Sequence, residues 1–220
     1  MNTKLISITH PALGGSEITS AEDLITYCAR VSSPQNQSNT ETAPKLIRYL
    51  IANKHWSPFE MASMCVEIKT SRAIAAQILR HRSFSFQEFS QRYAKAAAFE
   101  PVEIREQGLT NRQGGERVFD PHLAHANVAA SEAIRSIIEE CEYVYDELIQ
   151  NGVAKETARM VLPLCTQTTI YMNGTVRSWI HYLEQRCDKH AQKEHREVAE
   201  SIKQIFICQF PNVAEALGWK

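Results

Sequence analysis

The segment Gln77–Tyr93 concentrates the side chains of this sequence that are best suited to chemistry. The stretch 69–95 contains six lysines and arginines and a single acid, Glu88, although the whole chain has a formal charge of −1. Guanidinium groups such as those of Arg80 and Arg82 offer planar pairs of N–H donors that match phosphate oxygens and the carbonyl edges of nucleobases. The segment therefore indicates a binding site for phosphate or nucleobase groups.

Aromatic residues alternate with these donors and could form the walls of a site for flat rings. They are Phe84, Phe86, Phe89 and Tyr93. The alternative interpretation is a solvated basic loop with a few anchoring aromatic side chains, because a short motif is only a hypothesis until its context agrees.

The context is provided by a longer pattern. Arg80–Arg82, followed after seven residues by Ser90 and accompanied by Gln77, Glu88 and Arg92, resembles the signature of the flavin-dependent thymidylate synthases. Three further segments are similar to blocks of the same family: His55–Glu60, Ala158–Pro163 and Arg177–Gln192. The stretch from Ala96 to His125 has no clear counterpart in that family.

The resemblance implies two ligands, FAD bound without a Rossmann domain and the substrate dUMP. It assigns these residues to FAD: Ser57, Arg80, His81, Arg82, Glu88, Thr175, Arg177 and His181. It assigns these residues to dUMP: Gln77, Arg80, Glu88, Ser90, Gln91, Arg92, Arg159 and Arg186. Thr175 departs from the pattern, since some relatives have asparagine there, and a hydroxyl lacks the paired donor and acceptor of an amide.

The resemblance also implies the reaction, a reductive methylation of dUMP to dTMP. Methylenetetrahydrofolate would supply the carbon, and FAD reduced by NADPH would supply the electrons. Arg186 would be the catalytic residue, stabilising negative charge that develops on the pyrimidine. Family members are homotetramers whose sites are shared between subunits. The sequence gives no location for the folate and NADPH sites.

Length and composition favour one globular domain spanning residues 1–220. The 44% hydrophobic and 22% charged content is ordinary for a soluble protein. No apolar run is long enough for a membrane span, and the amino terminus has no signal-peptide pattern, so a cytoplasmic protein is expected. A net charge near zero argues against nucleic acid as a partner.

Two other classes of protein stay open at this point. A nucleic-acid-binding module would use the same arginines and aromatics for phosphate contact and base stacking. A transferase with a cysteine nucleophile would need one thiol with a lowered pKa close to a base. The six cysteines are scattered singly, which favours free thiols that mostly fill the core.

The elements that must position these residues follow from hydrophobic periodicity. Strands are predicted at Leu5–Thr9, Met61–Lys69 and Thr166–Met172, and in the second of them Ala62, Met64, Val66 and Ile68 fall on one side. Helices are predicted at 20–30, where Ser20 and Asp23 resemble a capping box, at 44–54, from Ser71 through Arg80, and at 126–150, 154–162, 175–186 and 192–209. The core stripe of the 126–150 helix is predicted to include Ile134, Ile137, Ile138, Cys141, Val144 and Leu148. Irregular alternation of the two kinds of element predicts an α+β fold, with a mixed β-sheet, flanking helices and one long helix.

Three local features bear on how the site residues are placed. Ser71 is predicted to cap a helix that presents Gln77 and Arg80 on one face. The stretch from Ala94 to His125 is predicted to be a long, irregular excursion. Within it, His122 and His125 have the spacing of a helical metal pair but no third ligand nearby, so no metal site is predicted.

Overall fold

The computed structural model describes residues 1–13, 17–95, 98–110, 113–115 and 117–219. Across those residues the chain forms two compact units. The first comprises Met1–Lys69, Gln77–Glu88 and Thr169–Lys220, and the second comprises Thr70–Ala76 and Phe89–Thr168. That residues 1–220 form one domain stays a prediction.

Strands and helices follow each other without a regular βαβ alternation. The strands are β1 (Asn2–Ile8), β2 (Ser63–Ser71), β3 (Ser85–Glu88), β4 (His122–Leu123), β5 (Val128–Ala129) and β6 (Gln167–Thr175). The helices are α1 (Ala21–Ala29), α2 (Ala43–Ala52), α3 (Arg72–Ile78), α4 (Ala130–Gln150), α5 (Lys155–Ala158), α6 (Val176–Arg186), α7 (Lys193–Gln209) and α8 (Pro211–Ala216). The predicted α+β class with one long helix is confirmed.

The main sheet has the strand order β1-β2-β6-β3. The pairings of β1 with β2 and of β3 with β6 are antiparallel. The register of the second pair places Ser85 opposite Asn173 and Glu88 opposite Ile170. Since Arg82 lies three residues before β3, this pairing anchors the end of the basic segment at the sheet.

The core of the first unit includes the inner face of β2 and the buried faces of α6 and α7. The four positions predicted to share one side of this strand are buried: Ala62, which directly precedes β2, and Met64, Val66 and Ile68 within it. Trp179 of α6 is fully buried and donates its indole N–H to the carbonyl oxygen of Met64 at 3.0 Å. A buried indole needs such a partner, and this bond fixes α6 against the sheet.

Phe84 belongs to this core rather than to a ligand site. Its side chain is only 8% exposed, and its ring meets the ring of Trp179 edge-on, with centroids 4.7 Å apart. A Cβ atom at Gly174 would lie 2.4 Å from a carbon of the Phe84 ring, so glycine is required for this close approach. The prediction that Phe84 forms a wall for a flat ligand is wrong, because the core takes its ring.

Helix α3 begins and ends next to the basic segment. The Ser71 hydroxyl accepts the amide N–H of Ile74 at 3.3 Å, which confirms the predicted cap. The helix ends at Ile78, where the His81 N–H donates to the Ile78 carbonyl in a tighter, three-residue turn. Arg80 therefore lies beyond the helix, and the prediction that Gln77 and Arg80 share a helical face is wrong.

Helix α4 in the second unit begins at Ala130 rather than at Ala126. Its apolar stripe was predicted to be core, but Ile137 is 59% exposed, and of the helix positions beyond the first turn only Tyr145 is buried among those described. Within this unit α4 contacts β5, α5 and the turn Arg159–Val161, which are too short to cover 21 residues. The predicted core stripe is therefore wrong for the single chain.

Other element ends also differ from expectation. The helix predicted at 154–162 divides into α5 and a single 3₁₀ turn, Arg159–Val161. Pro211 opens the additional helix α8 at its first position, where a missing N–H costs nothing. His122 lies in β4, not on a helix. Among the described residues, no helix combines the length and apolar character needed to cross a bilayer.

Candidate active site

His81 and Arg186 form the centre of the predicted site in the first unit. His81 follows α3, and Arg186 is the last residue of α6. The Arg186 Nε–H donates to Nε2 of His81 at 2.9 Å. Because a guanidinium is a rigid, planar fork, this bond also fixes the plane in which the other four N–H bonds of Arg186 lie.

The charge state of His81 agrees with this hydrogen bond. Burial, then the positive charge of Arg186, then His181 lower the pKa of His81 from 6.5 to about 4. His81 is therefore neutral at physiological pH, and a neutral ring that accepts at Nε2 carries its proton on Nδ1. The ring also lies edge-on to Tyr182, with centroids 4.9 Å apart, which limits its rotation.

Arg186 faces a surface pocket at the end of α6. Glu184, Asp188 and His190 are among the side chains that line the same pocket. The guanidinium is therefore accessible to a ligand while its Nε stays held by His81.

A second cluster lies at the beginning of α6, where Glu60 joins two predicted flavin residues. The Glu60 carboxylate accepts the Thr175 hydroxyl at 2.8 Å and pairs with an Arg177 terminal nitrogen at 2.9 Å. Thr175 is also the helix cap, since its hydroxyl accepts the N–H of Ser178 at 3.3 Å. The Thr175 hydroxyl thus has structural partners already, and its flavin contact stays a prediction.

Most of the remaining predicted flavin residues offer exposed donors, whereas the Glu88 carboxylate is an acceptor. The side chains of Ser57, Arg80, Arg82 and His181 are exposed, and Glu88 at the end of β3 is half-buried. Cationic and hydroxyl donors of this kind fit a cofactor that carries a pyrophosphate. The donor set of the first unit therefore fits FAD chemically.

The predicted substrate residues divide between the two units. Gln77, Arg80, Glu88 and Arg186 belong to the first, whereas Ser90, Gln91, Arg92 and Arg159 belong to the second. The structure therefore places these residues in two subsets, one in each unit.

In the second unit, Arg92 and Arg159 meet at α5. An Arg92 terminal nitrogen lies 3.2 Å from the Glu156 carboxylate, and the Arg159 Nε–H donates to the Glu156 backbone carbonyl at 3.4 Å. The ion pair is weak, because both of its side chains are 57% exposed. Two guanidinium groups that contact the same residue of α5 form a chemically suitable phosphate site.

Ser90 and Gln91 lie just before Arg92. The Ser90 hydroxyl accepts the Arg92 backbone N–H at 3.4 Å, a local turn contact rather than a contact with a base. Gln91 is only 5% exposed, and its Nε2 has no hydrogen-bond partner among the described residues. A buried amide without a partner costs free energy, which is consistent with a donor kept for a ligand.

Sequence reasoning missed Tyr182 and His195, and it included Glu60 in a family segment without giving it a role. His195 is fully buried in α7 and contacts both Tyr182 and Gln77. A signal was present, because His195 lies at the helical spacing of the apolar stripe that includes Val198 and Ile202. A histidine within such a stripe predicts a buried polar contact.

The cysteines do not favour a nucleophilic thiol. All six are unpaired, five are half-buried and Cys208 is exposed, so the prediction that they mostly fill the core is wrong. Burial raises the pKa of the thiols of Cys28, Cys65, Cys165 and Cys187. A raised pKa lowers the fraction of the reactive thiolate.

Comparison with known proteins identifies relatives along the whole sequence. Residues 16–212 match the family described as thymidylate synthase complementing protein. The chain is 48% identical over 220 residues, all of both chains, to a probable flavin-dependent thymidylate synthase of Paramecium bursaria Chlorella virus 1. Identity and coverage are the same for a flavin-dependent thymidylate synthase of Synechocystis.

A solved structure agrees with the sequence relatives. The crystal structure of the UMP/dUMP methylase PolB from Streptomyces cacaoi, bound with 5-Br dUMP, has a TM-score of 0.79 and 26% identity to this chain. The similarity covers 99% of this chain and 94% of PolB. By family, full-length identity and fold, the chain belongs to the flavin-dependent thymidylate synthases.

Proposed function

We propose that this chain converts dUMP to dTMP by reductive methylation. The observation that carries the proposal is the full-length 48% identity to two flavin-dependent thymidylate synthases. The arginine-rich segment and the Arg186–His81 pair support it, because they supply donors suited to an anionic nucleotide.

FAD is held through the donors of the first unit. Its proposed contacts are Ser57, Arg80, His81, Arg82, Glu88, Thr175, Arg177 and His181. When bound and reduced by NADPH, the flavin supplies the electrons that complete the methyl group, whose carbon comes from methylenetetrahydrofolate. The protein's own part is to orient the ligands and to control charge.

dUMP is held by the residues that the family pattern assigns to it. Its proposed contacts are Gln77, Arg80, Glu88, Ser90, Gln91, Arg92, Arg159 and Arg186. Arg92 and Arg159 bind the phosphate, whose two negative charges displace the weakly held Glu156 carboxylate from Arg92.

Arg186 provides the catalytic charge. Carbon 5 of uracil becomes nucleophilic when negative charge is pushed into the ring, and a guanidinium beside the carbonyl edge stabilises that charge. The bond to His81 restrains Arg186 before substrate arrives, so little reorganisation is needed during the reaction. This role requires no covalent bond between protein and substrate.

The assembly is proposed to be a cytoplasmic homotetramer with shared sites. The half-exposed apolar stripe of α4 supports an interface between subunits, since an apolar helix face of that length gains stability when it is covered.

Replacing Arg92 with alanine is expected to weaken dUMP binding. Loss of a hydrogen bond to a charged partner costs roughly 1.5–3 kcal/mol, which is about a 10- to 100-fold increase in the dissociation constant. Deoxyuridine, which lacks the phosphate, should bind the wild type poorly, and Arg92→Ala should hardly alter its affinity. Isothermal titration of both ligands with the flavin-loaded protein measures the difference.

Arg48→Ala is the matched control, because Arg48 is also an exposed arginine paired with a glutamate, Glu215. It should leave dUMP binding unchanged. Equal losses for dUMP and deoxyuridine in Arg92→Ala would assign Arg92 a structural role and remove it from the phosphate site.

A further inference from the structure

A chain of polar side chains runs through the first unit from a buried tyrosine to the surface. The Tyr182 hydroxyl and His195 Nε2 are 3.1 Å apart, and His195 Nδ1 is 3.2 Å from Oε1 of Gln77. Gln77 Nε2 donates to Oε1 of Gln192 at 2.6 Å, and Gln192 Nε2 donates to the Glu194 carboxylate at 2.9 Å. Both Tyr182 and His195 are fully buried.

The direction of every bond in this chain is determined from its outer end. The Glu194 carboxylate can only accept, so Gln192 turns its NH₂ group outward and its oxygen toward Gln77. Gln77 must then donate to Gln192 and present its own oxygen to His195. His195 consequently carries its proton on Nδ1, and Tyr182 donates to the bare Nε2.

The pKa shifts of the two buried groups, His195 and Tyr182, agree with these hydrogen-bond directions. Burial, then the positive charge of Arg186, then His81 lower the pKa of His195 from 6.5 to about 3, so the ring stays neutral. Burial raises the pKa of Tyr182, so its hydroxyl keeps the proton that it donates. Both groups are therefore neutral, and the bonds further out in the chain decide which His195 nitrogen carries the proton.

Stability alone does not require a histidine here. Val198, Ala199, Ile202 and Phe206 on the same face of α7 are apolar and buried. An apolar side chain at position 195 would avoid the cost of burying a polar ring. What the histidine adds is control over the half-exposed Gln77 amide.

We propose that His195 is a positioning residue whose Nδ1–H, together with Gln192, holds the Gln77 amide with its oxygen inward, so that its NH₂ group is the donor offered to substrate. One N–H of that group binds Gln192, and the second is left for a ligand oxygen, either a pyrimidine carbonyl or a phosphate oxygen. This rests on the proposed function, which assigns Gln77 to dUMP. If the ligand oxygen is the carbonyl at C4 of uracil, this donor also favours uracil over cytosine, which has an amino group there.

Two substitutions at one position separate orientation from packing. In His195→Gln, the side-chain amide oxygen lies near the position of Nε2 and can accept the Tyr182 hydroxyl. The variant loses the Nδ1–H that His195 donates to Gln77. His195→Asn places an amide N–H near the place of Nδ1 and keeps that donor. The flavin-loaded wild type and both variants are titrated with dUMP, dCMP and deoxyuridine, and urea unfolding of each is followed in parallel.

We expect His195→Gln to weaken dUMP binding about three- to tenfold, and His195→Asn to recover most of that loss. If His195→Gln weakens deoxyuridine binding by the same factor and lowers the preference for dUMP over dCMP, the ligand atom is the ring carbonyl. If the variant leaves deoxyuridine binding unchanged, the ligand atom is a phosphate oxygen. Unchanged dUMP binding in both variants, or losses that simply follow their unfolding, would overturn the proposal.

Nitrogen-15 NMR of the wild-type imidazoles gives a test that needs no variant. We expect the neutral Nδ1–H tautomer for His195 at neutral pH in the wild type and also in Tyr182→Phe, because the Gln77 oxygen still accepts the Nδ1–H. An Nε2–H tautomer or an imidazolium in the wild type would overturn the proposed lock. Absence of dUMP binding by the wild type would instead overturn the proposed function and the ligand assigned to Gln77, while the tautomer still decides how that amide is oriented.

Discussion

Arg186→Ala is expected to reduce dTMP formation by about 100- to 1,000-fold, while oxidation of NADPH by the flavin continues at a rate close to wild type. The guanidinium is proposed to stabilise charge on the pyrimidine, which develops only in the methylation half of the reaction. The two half-reactions are assayed separately, by product chromatography and by flavin absorbance under anaerobic conditions.

Arg186→Lys is the matched variant for the same position. It keeps the positive charge but replaces the planar fork with a point charge, and its single nitrogen cannot both bind His81 Nε2 and lie along a carbonyl edge. We therefore expect partial activity between that of wild type and Arg186→Ala. Full dTMP synthesis by Arg186→Ala would contradict the electrostatic mechanism.

Ser90 is the comparison for a covalent mechanism. Its hydroxyl contacts the Arg92 backbone, and a serine needs a positioned base to become a nucleophile. Ser90→Ala should therefore retain measurable dTMP formation with a raised dUMP requirement. A dUMP–Ser90 adduct trapped on a competent timescale would contradict this account.

The folded protein is expected to lose stability as the pH falls from about 6.5 toward 4. His81 and His195 have folded-state pKa values of about 4 and about 3, below the ordinary value of 6.5. In that interval the unfolded chain binds more protons than the folded chain, so acid favours unfolding. For His195 alone the loss by pH 4 is about 3 kcal/mol.

Glu22 acts in the opposite direction. It is buried and accepts the Val213 backbone N–H at 2.8 Å, and burial raises the pKa of its carboxyl. The folded state then takes up this proton at a higher pH than the unfolded chain, which adds stability as the pH falls. The two histidines together lower the free energy of unfolding more than Glu22 raises it, so the protein is less stable at acidic pH.

Urea unfolding at a series of pH values measures this dependence. His195→Gln removes one ionisable group and should flatten the loss between pH 6.5 and 4, whereas His10→Gln, at an exposed histidine, should leave it unchanged. An identical pH dependence in wild type and His195→Gln would show that the buried ring does not control acid stability.

The parts of the fold that depend on residues close together in the sequence were predicted correctly. The Ser20 capping box with Asp23 and the Ser71 cap form as expected, since both depend on side chains within three residues of the helix start. The alternating burial of β2 is confirmed for the same reason, because a strand with one buried face has a period of two.

The incorrect predictions involve contacts that sequence spacing does not determine. Phe84 alternates correctly with its neighbours, but the close approach allowed by Gly174 places its ring in the core. The stripe of α4 has proper helical spacing, yet nothing local shows whether this chain or another subunit covers it. Arg80 leaves α3 because a tighter turn ends the helix after Ile78.

For the candidate site, the family pattern predicted residues but not their mutual contacts. The Arg186–His81 bond joins positions 105 residues apart, and the His195–Gln77 contact joins positions 118 apart. Spacing along the chain holds no information about such pairs. His195 lay outside the motif and could be found only as a polar residue in an apolar stripe.

The central claim is best tested by incubating the purified protein with dUMP, methylenetetrahydrofolate, NADPH and FAD, and measuring dTMP by chromatography and mass spectrometry. We expect dTMP to accumulate only when FAD is present on the protein or supplied, and the protein to show the visible absorption of a bound flavin. A colourless protein that takes up no FAD, or a flavoprotein that makes no dTMP from dUMP under these conditions, would contradict the account.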